Sequence, residues 1–166
     1  MKISIANIMK QNTAKEEFYL KLPPAELGIS PEDALIDGDV LLDFSVANVG
    51  DVVLLDGNVQ AVFYRTCGRC TKTYRLTCIG EFKEKFYPAG TIGISEEELV
   101  FSDDLIDITQ IVREGLLLAE PIQSVCSEDC KGLCPTCGID KNTAECSCDA
   151  HEINPKFEAL RQLLKK

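Results

Sequence analysis

The sequence predicts an α+β protein with an antiparallel β-rich body, either a sandwich or a partly open barrel, followed by a cysteine-rich module. Three observations predict this fold. Apolar and polar residues alternate through much of residues 40–87. One apolar stripe at helical spacing follows between residues 107 and 121. Six of the nine cysteines then lie between Cys126 and Cys148. We therefore predict a β-rich body with a packed helix over residues 1–122 and a cysteine-rich module with a short terminal helix over residues 123–166.

Strands make up most of the predicted body. Alternating or β-branched runs predict strands at residues 2–9, 18–22, 40–46, 52–55, 59–66 and 71–87, and a short apolar stretch at 99–101. Two typical turn sequences, residues 48–51 with Gly50 and the pair Asp56-Gly57, separate three of these strands. In the last long strand Cys78 lies on the apolar face, so we predict that it is a core residue and not a ligand.

One amphipathic helix is predicted after residue 107. Asp107 is a suitable N-cap, and Gln110 lies three residues later, as in a capping box. Pro121 ends the helix. Its apolar stripe, which we interpret as core, is formed by Ile108, Ile111, Val112, Leu116 and Ala119. Asn154-Pro155 predicts the start of the short terminal helix, which runs to the end of the chain.

Composition narrows the possible functions. The first residues lack the features of a signal peptide and no window is apolar enough to span a membrane, so we expect a cytoplasmic protein. A single histidine, His151, argues against a histidine-based catalytic triad, and we expect no enzymatic activity and no small-molecule substrate. The formal net charge of −10 argues against general coating of nucleic acid. Residues 63–85 are an exception, with six basic and two acidic side chains.

The cysteine spacing is typical of a metal site. Cys134-Pro135-Thr136-Cys137-Gly138 is a zinc knuckle, and Cys146-Ser147-Cys148 places two further sulfurs on one side of an extended segment. Four thiolates around one ion favour zinc, with iron as the second choice. A site closed by four cysteines leaves no position for water, so the predicted metal is structural. The Cys67-x-x-Cys70 pair lies at a hairpin tip, unlike a thioredoxin-type motif at a helix start.

Eight cysteines remain as candidate ligands once Cys78 is set aside, and they can be divided in two ways. The division that we favour forms one group from Cys134, Cys137, Cys146 and Cys148. The other group, from distant parts of the chain, is then Cys67, Cys70, Cys126 and Cys130. The alternative is a zinc ribbon in which the pairs 67/70 and 134/137 face one ion, with the other four cysteines in a looser group. The sequence thus predicts one or two ions.

Several of these motifs together resemble a known family. The resemblance rests on Cys67 and Cys70, the helical segment 106–121, Cys126, the run Cys130–Gly138, Asn142 and the Cys146-Ser147-Cys148 motif. In this order they resemble the YceD-like proteins, described as large ribosomal RNA subunit accumulation proteins. The resemblance implies a bacterial cytoplasmic factor that is needed for normal levels of 23S ribosomal RNA and is linked to large-subunit assembly. It implies no established enzymatic activity.

Three hypotheses about partners follow. The first is an assembly factor that contacts rRNA, a pre-ribosomal particle or a ribosomal protein through the basic residues Arg65, Arg69, Lys72, Arg75, Lys83 and Lys85. The alternative is a zinc-thiol redox switch that loses its metal on oxidation. A third is an acidic adaptor that contacts a basic ribosomal protein through residues 96–107.

Overall fold

The computed structural model describes residues 1–10, 13–93, 95 and 97–148. The chain forms two compact units. The first consists of Met1–Arg65 and Tyr74–Ile122. The second contains Thr66–Thr73 and, in its described part, residues 123–148. The first cysteine pair is therefore in the same unit as the later cysteines. The predicted boundary after residue 122 stays a proposal about where an independently folding domain begins.

The first unit contains a five-stranded mixed sheet. Its strands, in the order in which they lie in the sheet, are β2 (Lys15–Leu22), β3 (Val40–Val49), β4 (Val52–Thr66), β5 (Thr73–Pro88) and β6 (Leu99–Phe101). The pairs β2–β3 and β3–β4 are antiparallel, whereas β5 and β6 are parallel. The α+β class is thus confirmed, and the choice between a sandwich and a partly open barrel stays a prediction.

Two short strands form a separate antiparallel pair, β1 (Lys2–Ser4) and β7 (Leu105–Asp107). A helical turn, α1 (Ala6–Met9), follows β1, and a 3-10 helix covers Pro24–Leu27. The predicted strand over residues 2–9 is wrong in its second half. Ile5 and Ile8 are both buried, and their spacing of three residues buries them together on one side of a helical turn.

The sheet buries one face. Alternate residues of β3 and β4 are buried, which confirms the predicted period of two, and Cys78 on β5 is 4% exposed, as predicted for a core residue. The predicted turn at Asp56-Gly57 is wrong, because β4 runs without interruption through both residues. Gly57 pairs with Phe44, and a Cβ at Gly57 would lie 2.3 Å from the Cβ of Phe44. This glycine therefore allows two strands to approach closely.

The second helix, α2 (Thr109–Leu118), packs its apolar stripe into the core. Val112 and Leu116 are buried, and the helix ends before Pro121, as predicted. The predicted capping box is wrong. The Asp107 carboxylate accepts a hydrogen bond from the N–H of Thr109 at 3.0 Å, while the Gln110 side chain donates to Glu114 instead of reaching back. An acidic residue thus precedes the N-terminus of the helix, the positive end of its dipole, but the two hydrogen bonds of a capping box are not formed.

The second unit has almost no core. Among its described residues, only four cysteines and Gly132 are buried, and no helix or strand lies within residues 123–148. The predicted terminal helix, at residues 154–166, lies outside the described residues. None of the helices in the described part of the chain is long and apolar enough to cross a lipid bilayer.

Candidate metal centres

Two groups of four cysteines are assembled in the second unit. The sulfur atoms of each group all lie within 4.8 Å of one another. The first group consists of Cys67, Cys70, Cys126 and Cys130, and the second group consists of Cys134, Cys137, Cys146 and Cys148. The cysteine spacing favours this division. The described residues do not form the alternative zinc ribbon, in which the pairs 67/70 and 134/137 would face one ion.

The first group joins distant parts of the chain. The Sγ atoms of Cys67 and Cys130 are 3.9 Å apart, and those of Cys70 and Cys126 are 3.6 Å apart. Cys67 and Cys70 lie in the loop between the neighbouring strands β4 and β5, where the Cys67 N–H donates to the Lys72 carbonyl at 2.9 Å. The Gly68 N–H donates to the carbonyl of Ser124 at 2.9 Å, which attaches this loop to the segment carrying Cys126.

Arg69 connects the two halves of the first group. Its backbone N–H points to the Cys67 sulfur at 3.4 Å. Its guanidinium donates to the carbonyl oxygens of Glu128 and Cys130, at 2.9 and 3.1 Å. These carbonyls belong to the segment that carries Cys130. The Arg69 side chain therefore attaches this segment to the loop between Cys67 and Cys70.

The second group is built within a short stretch. The Cys134 N–H donates to the Ile139 carbonyl at 2.8 Å, and the Gly138 N–H donates to the Cys134 carbonyl at 2.9 Å. Gly138 has a φ of 73°, a left-handed conformation in which glycine is favoured. The resulting turn holds Cys134 and Cys137 with their sulfurs on one side, as the knuckle sequence predicts.

The electrostatics of each group favour a bound cation. Backbone N–H groups of Cys126 and Cys70 lower the pKa of Cys67 to about 6, and those of Cys137 and Thr136 lower the pKa of Cys134 to about 6. The opposite holds for their partners. The neighbouring Cys70 side chain raises the pKa of Cys126 to about 12, and Cys137 raises that of Cys148 to about 12. Cys67 and Cys134 therefore form thiolates readily, whereas Cys126 and Cys148 need a positive charge between the sulfurs to do so.

The sulfur separations fit a tetrahedral metal. Zinc–sulfur bonds of about 2.3 Å in a tetrahedron place the sulfurs about 3.8 Å apart. The separations of 3.6 and 3.9 Å in the first group lie on either side of this value. In the second group the four sulfurs lie within 4.8 Å of one another, so each group could hold one metal ion. Cys78 belongs to neither group, and burial raises the pKa of its thiol.

Asn142 is a site residue to which the sequence motifs assign no role. It lies in the loop between Cys137 and Cys146, yet its side-chain amide points to the sulfur of Cys130 in the first group at 3.4 Å. Its Oδ1 accepts the Lys131 N–H at 2.8 Å. The available signal was the Asp140-x-Asn142 spacing, because Asp140 accepts hydrogen bonds from both the backbone and the side chain of Asn142.

Sequence comparison shows the family to which the chain belongs. A sequence model described as "Large ribosomal RNA subunit accumulation protein YceD" matches residues 55–164, a range that contains all eight cysteines of the two groups. The chain belongs to the YceD family. No solved structure matches it.

Relatives of this YceD-family chain occur in bacteria and plants. An uncharacterized protein of Mycobacterium tuberculosis is 31% identical over 99% of this chain and 81% of its own length. The uncharacterized protein YlbN of Bacillus subtilis is 37% identical over 51% of this chain and 50% of its own length. A Zea mays protein named large ribosomal RNA subunit accumulation protein YCED homolog 1, chloroplastic, is 38% identical over 31% of this chain and 18% of its own.

The predicted basic interface of this YceD-family chain does not lie on one face. Arg65 stacks over the Phe63 ring, 4.8 Å from its centroid, and forms a partly buried ion pair with Glu120. It therefore lies at the edge of the core. Arg75, Lys83 and Lys85 alternate with the buried residues of β5 and so share its opposite, exposed face.

Most of these cations already have partners. Arg75 pairs with the half-buried Asp37 at 2.6 Å, and Lys83 pairs with the exposed Asp56 at 2.8 Å. Arg69 donates to backbone carbonyls, as described above. Lys72 and Lys85 are exposed, and neither has an ion-pair partner in the part of the chain that the structure describes.

Proposed function

We propose that this protein is a non-enzymatic bacterial factor that supports accumulation of 23S ribosomal RNA and assembly of the large ribosomal subunit in the cytoplasm. The observation that carries the proposal is the YceD-family match over residues 55–164. The name of the Zea mays relative, large ribosomal RNA subunit accumulation protein YCED homolog 1, supports the same role.

The metal in this proposal is structural zinc, one ion in each cysteine group. The support is the composition of the second unit, whose buried described residues are four cysteines and one glycine. A segment with so little apolar burial needs another source of stability, and small domains commonly obtain it from bound metal. Four thiolates at tetrahedral spacing suit zinc, with iron as the second choice. The zinc-binding module of the predicted fold is part of this proposal.

Metal analysis tests the structural role. We expect two zinc ions per chain on protein purified without added metal, and one ion in a Cys67→Ser, Cys70→Ser double variant. A Cys78→Ser variant is the matched control, because Cys78 lies in the core of the first unit, and it should retain two ions. A metal-free wild-type protein would contradict the proposal.

The proposed partner is rRNA or a pre-ribosomal particle. Lys72 and Lys85 are its strongest candidate contacts, since Arg75 and Lys83 would first have to leave their carboxylate partners and Arg65 and Arg69 serve local structure. Exposed ion pairs are weak, so Arg75 and Lys83 remain in the proposed interface as secondary contacts.

Charge reversal tests this interface. A Lys72→Glu, Lys85→Glu variant should bind rRNA or pre-ribosomal particles more weakly. The slope of the logarithm of the binding constant against the logarithm of salt concentration should become shallower by about one for each lysine lost. The control is Lys15→Glu, Lys21→Glu on β2, which changes net charge equally at lysines paired with Glu17 and Asp39. Equal losses in both variants would show that only net charge matters and would contradict the interface.

Two other partners or roles remain as outcomes of the same experiments. A complex that survives RNase but dissociates in high salt would support a contact with a ribosomal protein. The zinc-thiol redox switch is the less favoured alternative, and unchanged zinc content and protease resistance after peroxide treatment would eliminate it.

A further inference from the structure

The two cysteine groups are directly adjacent in the chain. Only Lys131, Gly132 and Leu133 separate Cys130 of the first group from Cys134 of the second. All three residues form hydrogen bonds that connect the groups. The Leu133 N–H donates to the Arg69 carbonyl at 3.0 Å, and the Gly132 carbonyl accepts the Lys141 N–H at 3.0 Å. The connecting segment is thus held on both sides, by a loop of the first group and by a loop of the second.

Asn142 adds a direct contact between the groups. Its position depends on the second group, because its loop is closed at both ends by Cys137 and Cys146. Its amide nevertheless donates to the Cys130 sulfur of the first group at 3.4 Å. A hydrogen bond of this kind orients a ligand atom toward the metal that it binds.

The connection also acts in the other direction. The Arg69 carbonyl that accepts the Leu133 N–H belongs to the loop between Cys67 and Cys70, and Leu133 immediately precedes Cys134. A Cβ on Gly132 would lie 2.9 Å from that carbonyl oxygen, so the two backbones are in close contact. Ordering the first group therefore fixes the start of the second.

We propose that the two cysteine groups bind their metal ions cooperatively, and that Asn142 is the positioning residue that couples them. This inference rests on the proposed structural metal. Each ion raises the affinity of the other group, and the factor is the same in both directions because binding free energies are linked. The second group fills first, since it closes a loop of only 15 residues, whereas Cys70 and Cys126 are 56 positions apart.

Competition with a chelator tests the coupling. Zinc-loaded full-length protein is titrated with a chelator, and the zinc retained is measured for the wild type and for two variants that each keep one group. These are Cys67→Ser, Cys70→Ser and Cys137→Ser, Cys148→Ser. We expect the remaining ion in each variant to be held at least about tenfold more weakly than in the wild type, by similar factors in both.

Substitutions of Asn142 test its role separately. Asn142→Asp keeps an acceptor for the Lys131 N–H but loses the side-chain donor to the Cys130 sulfur and to Asp140, and Asn142→Ala removes all three hydrogen bonds. Both substitutions should lower the zinc affinity of the first group by about tenfold or more, so that the chelator removes the two ions in two separate steps. Thr143→Ala is the matched control, because its hydroxyl donates to the Asp140 carbonyl within the same loop at 3.1 Å, and its zinc release should follow the wild type.

A double-mutant cycle completes the experiment. In the Cys137→Ser, Cys148→Ser background no metal closes the loop that carries Asn142, and we expect its hydrogen bonds to Asp140 and Lys131 to hold it less firmly against Cys130, so Asn142→Asp should change the affinity of the first group by less than about twofold. Single-group variants that hold their ion as tightly as the wild type would overturn the coupling and leave the structural metal intact. A wild type that binds no metal would overturn both proposals.

Discussion

Gly132 and Gly138 have almost the same backbone conformation in different surroundings. Their φ angles are 70° and 73°. Both values lie in the left-handed region, which costs other L-residues about 1–2 kcal/mol. A Cβ at Gly138 would meet no atom within 4 Å, whereas one at Gly132 would lie 2.9 Å from the Arg69 carbonyl oxygen. The two positions therefore separate backbone strain from the contact between the cysteine groups.

The pair yields a prediction about metal affinity. Gly138→Ala should lose about 1–2 kcal/mol of zinc-binding free energy through strain alone. Gly132→Ala should lose clearly more, because the new methyl group displaces the carbonyl that accepts the Leu133 N–H. Chelator competition on both variants provides the measurement. If the two lose the same affinity, the close contact at Gly132 has no energetic role.

The candidate ligand residues and their grouping were predictable from spacing, and their supporting contacts were not. Eight cysteines in closely spaced pairs indicate two sets of four, and the favoured division is the one in which their sulfurs come together. Asn142 contacts a sulfur 12 positions away. The Asp140-x-Asn142 spacing indicates the local turn, but it does not indicate that the loop between Cys137 and Cys146 brings Asn142 to Cys130.

Helix α2 crosses strand β5 where both carry a glycine. A Cβ on Gly80 of β5 would lie 2.1 Å from the Gly115 carbonyl oxygen of α2. A Cβ on Gly115 would meet nothing closer than 3.5 Å, an ordinary contact. The strand position therefore requires glycine, whereas the helix position does not.

This asymmetry predicts opposite effects of the same substitution. Gly80→Ala should destabilise the protein by about 1–3 kcal/mol or more, because backbone on both sides of the contact cannot yield. Gly115→Ala should be neutral or stabilise it by up to about 1 kcal/mol, because alanine is the better helix former. Urea unfolding of the zinc-loaded variants measures both. A Gly80→Ala variant as stable as Gly115→Ala would contradict the packing described.

Elements with a clear period were predicted, and those defined by packing partners were not. The period of two located β3 and β5 because each has one buried and one exposed face. The break at Ser4 was missed because Ile3, Ile5 and Ile8 fit a strand and a helical turn almost equally. The supposed turn at Asp56-Gly57 failed because Gly57 is needed for its contact with Phe44 on β3, which is not adjacent in sequence.

The two units are stabilised by different means. The continuous apolar core, which includes Phe44, Phe63 and Leu116, lies wholly within the first unit and contains none of the eight candidate ligands. The described part of the second unit buries only cysteines and a glycine. Its order must therefore come from hydrogen bonds and from whatever the sulfurs bind.

Metal removal should consequently separate the units. A strong chelator added under reducing conditions should make residues 66–73 and 123–148 sensitive to protease, because the cysteines then no longer share an ion that ties the loops together and no apolar core holds the loops. The β-sheet signal in circular dichroism should remain, since the core of the first unit contains no ligand. Limited proteolysis with mass spectrometry identifies the cleavage sites, and added zinc should restore protection. Loss of the sheet signal together with the metal would show that the first unit depends on the cysteine groups, and unchanged protease resistance without metal would show that hydrogen bonds alone order the second.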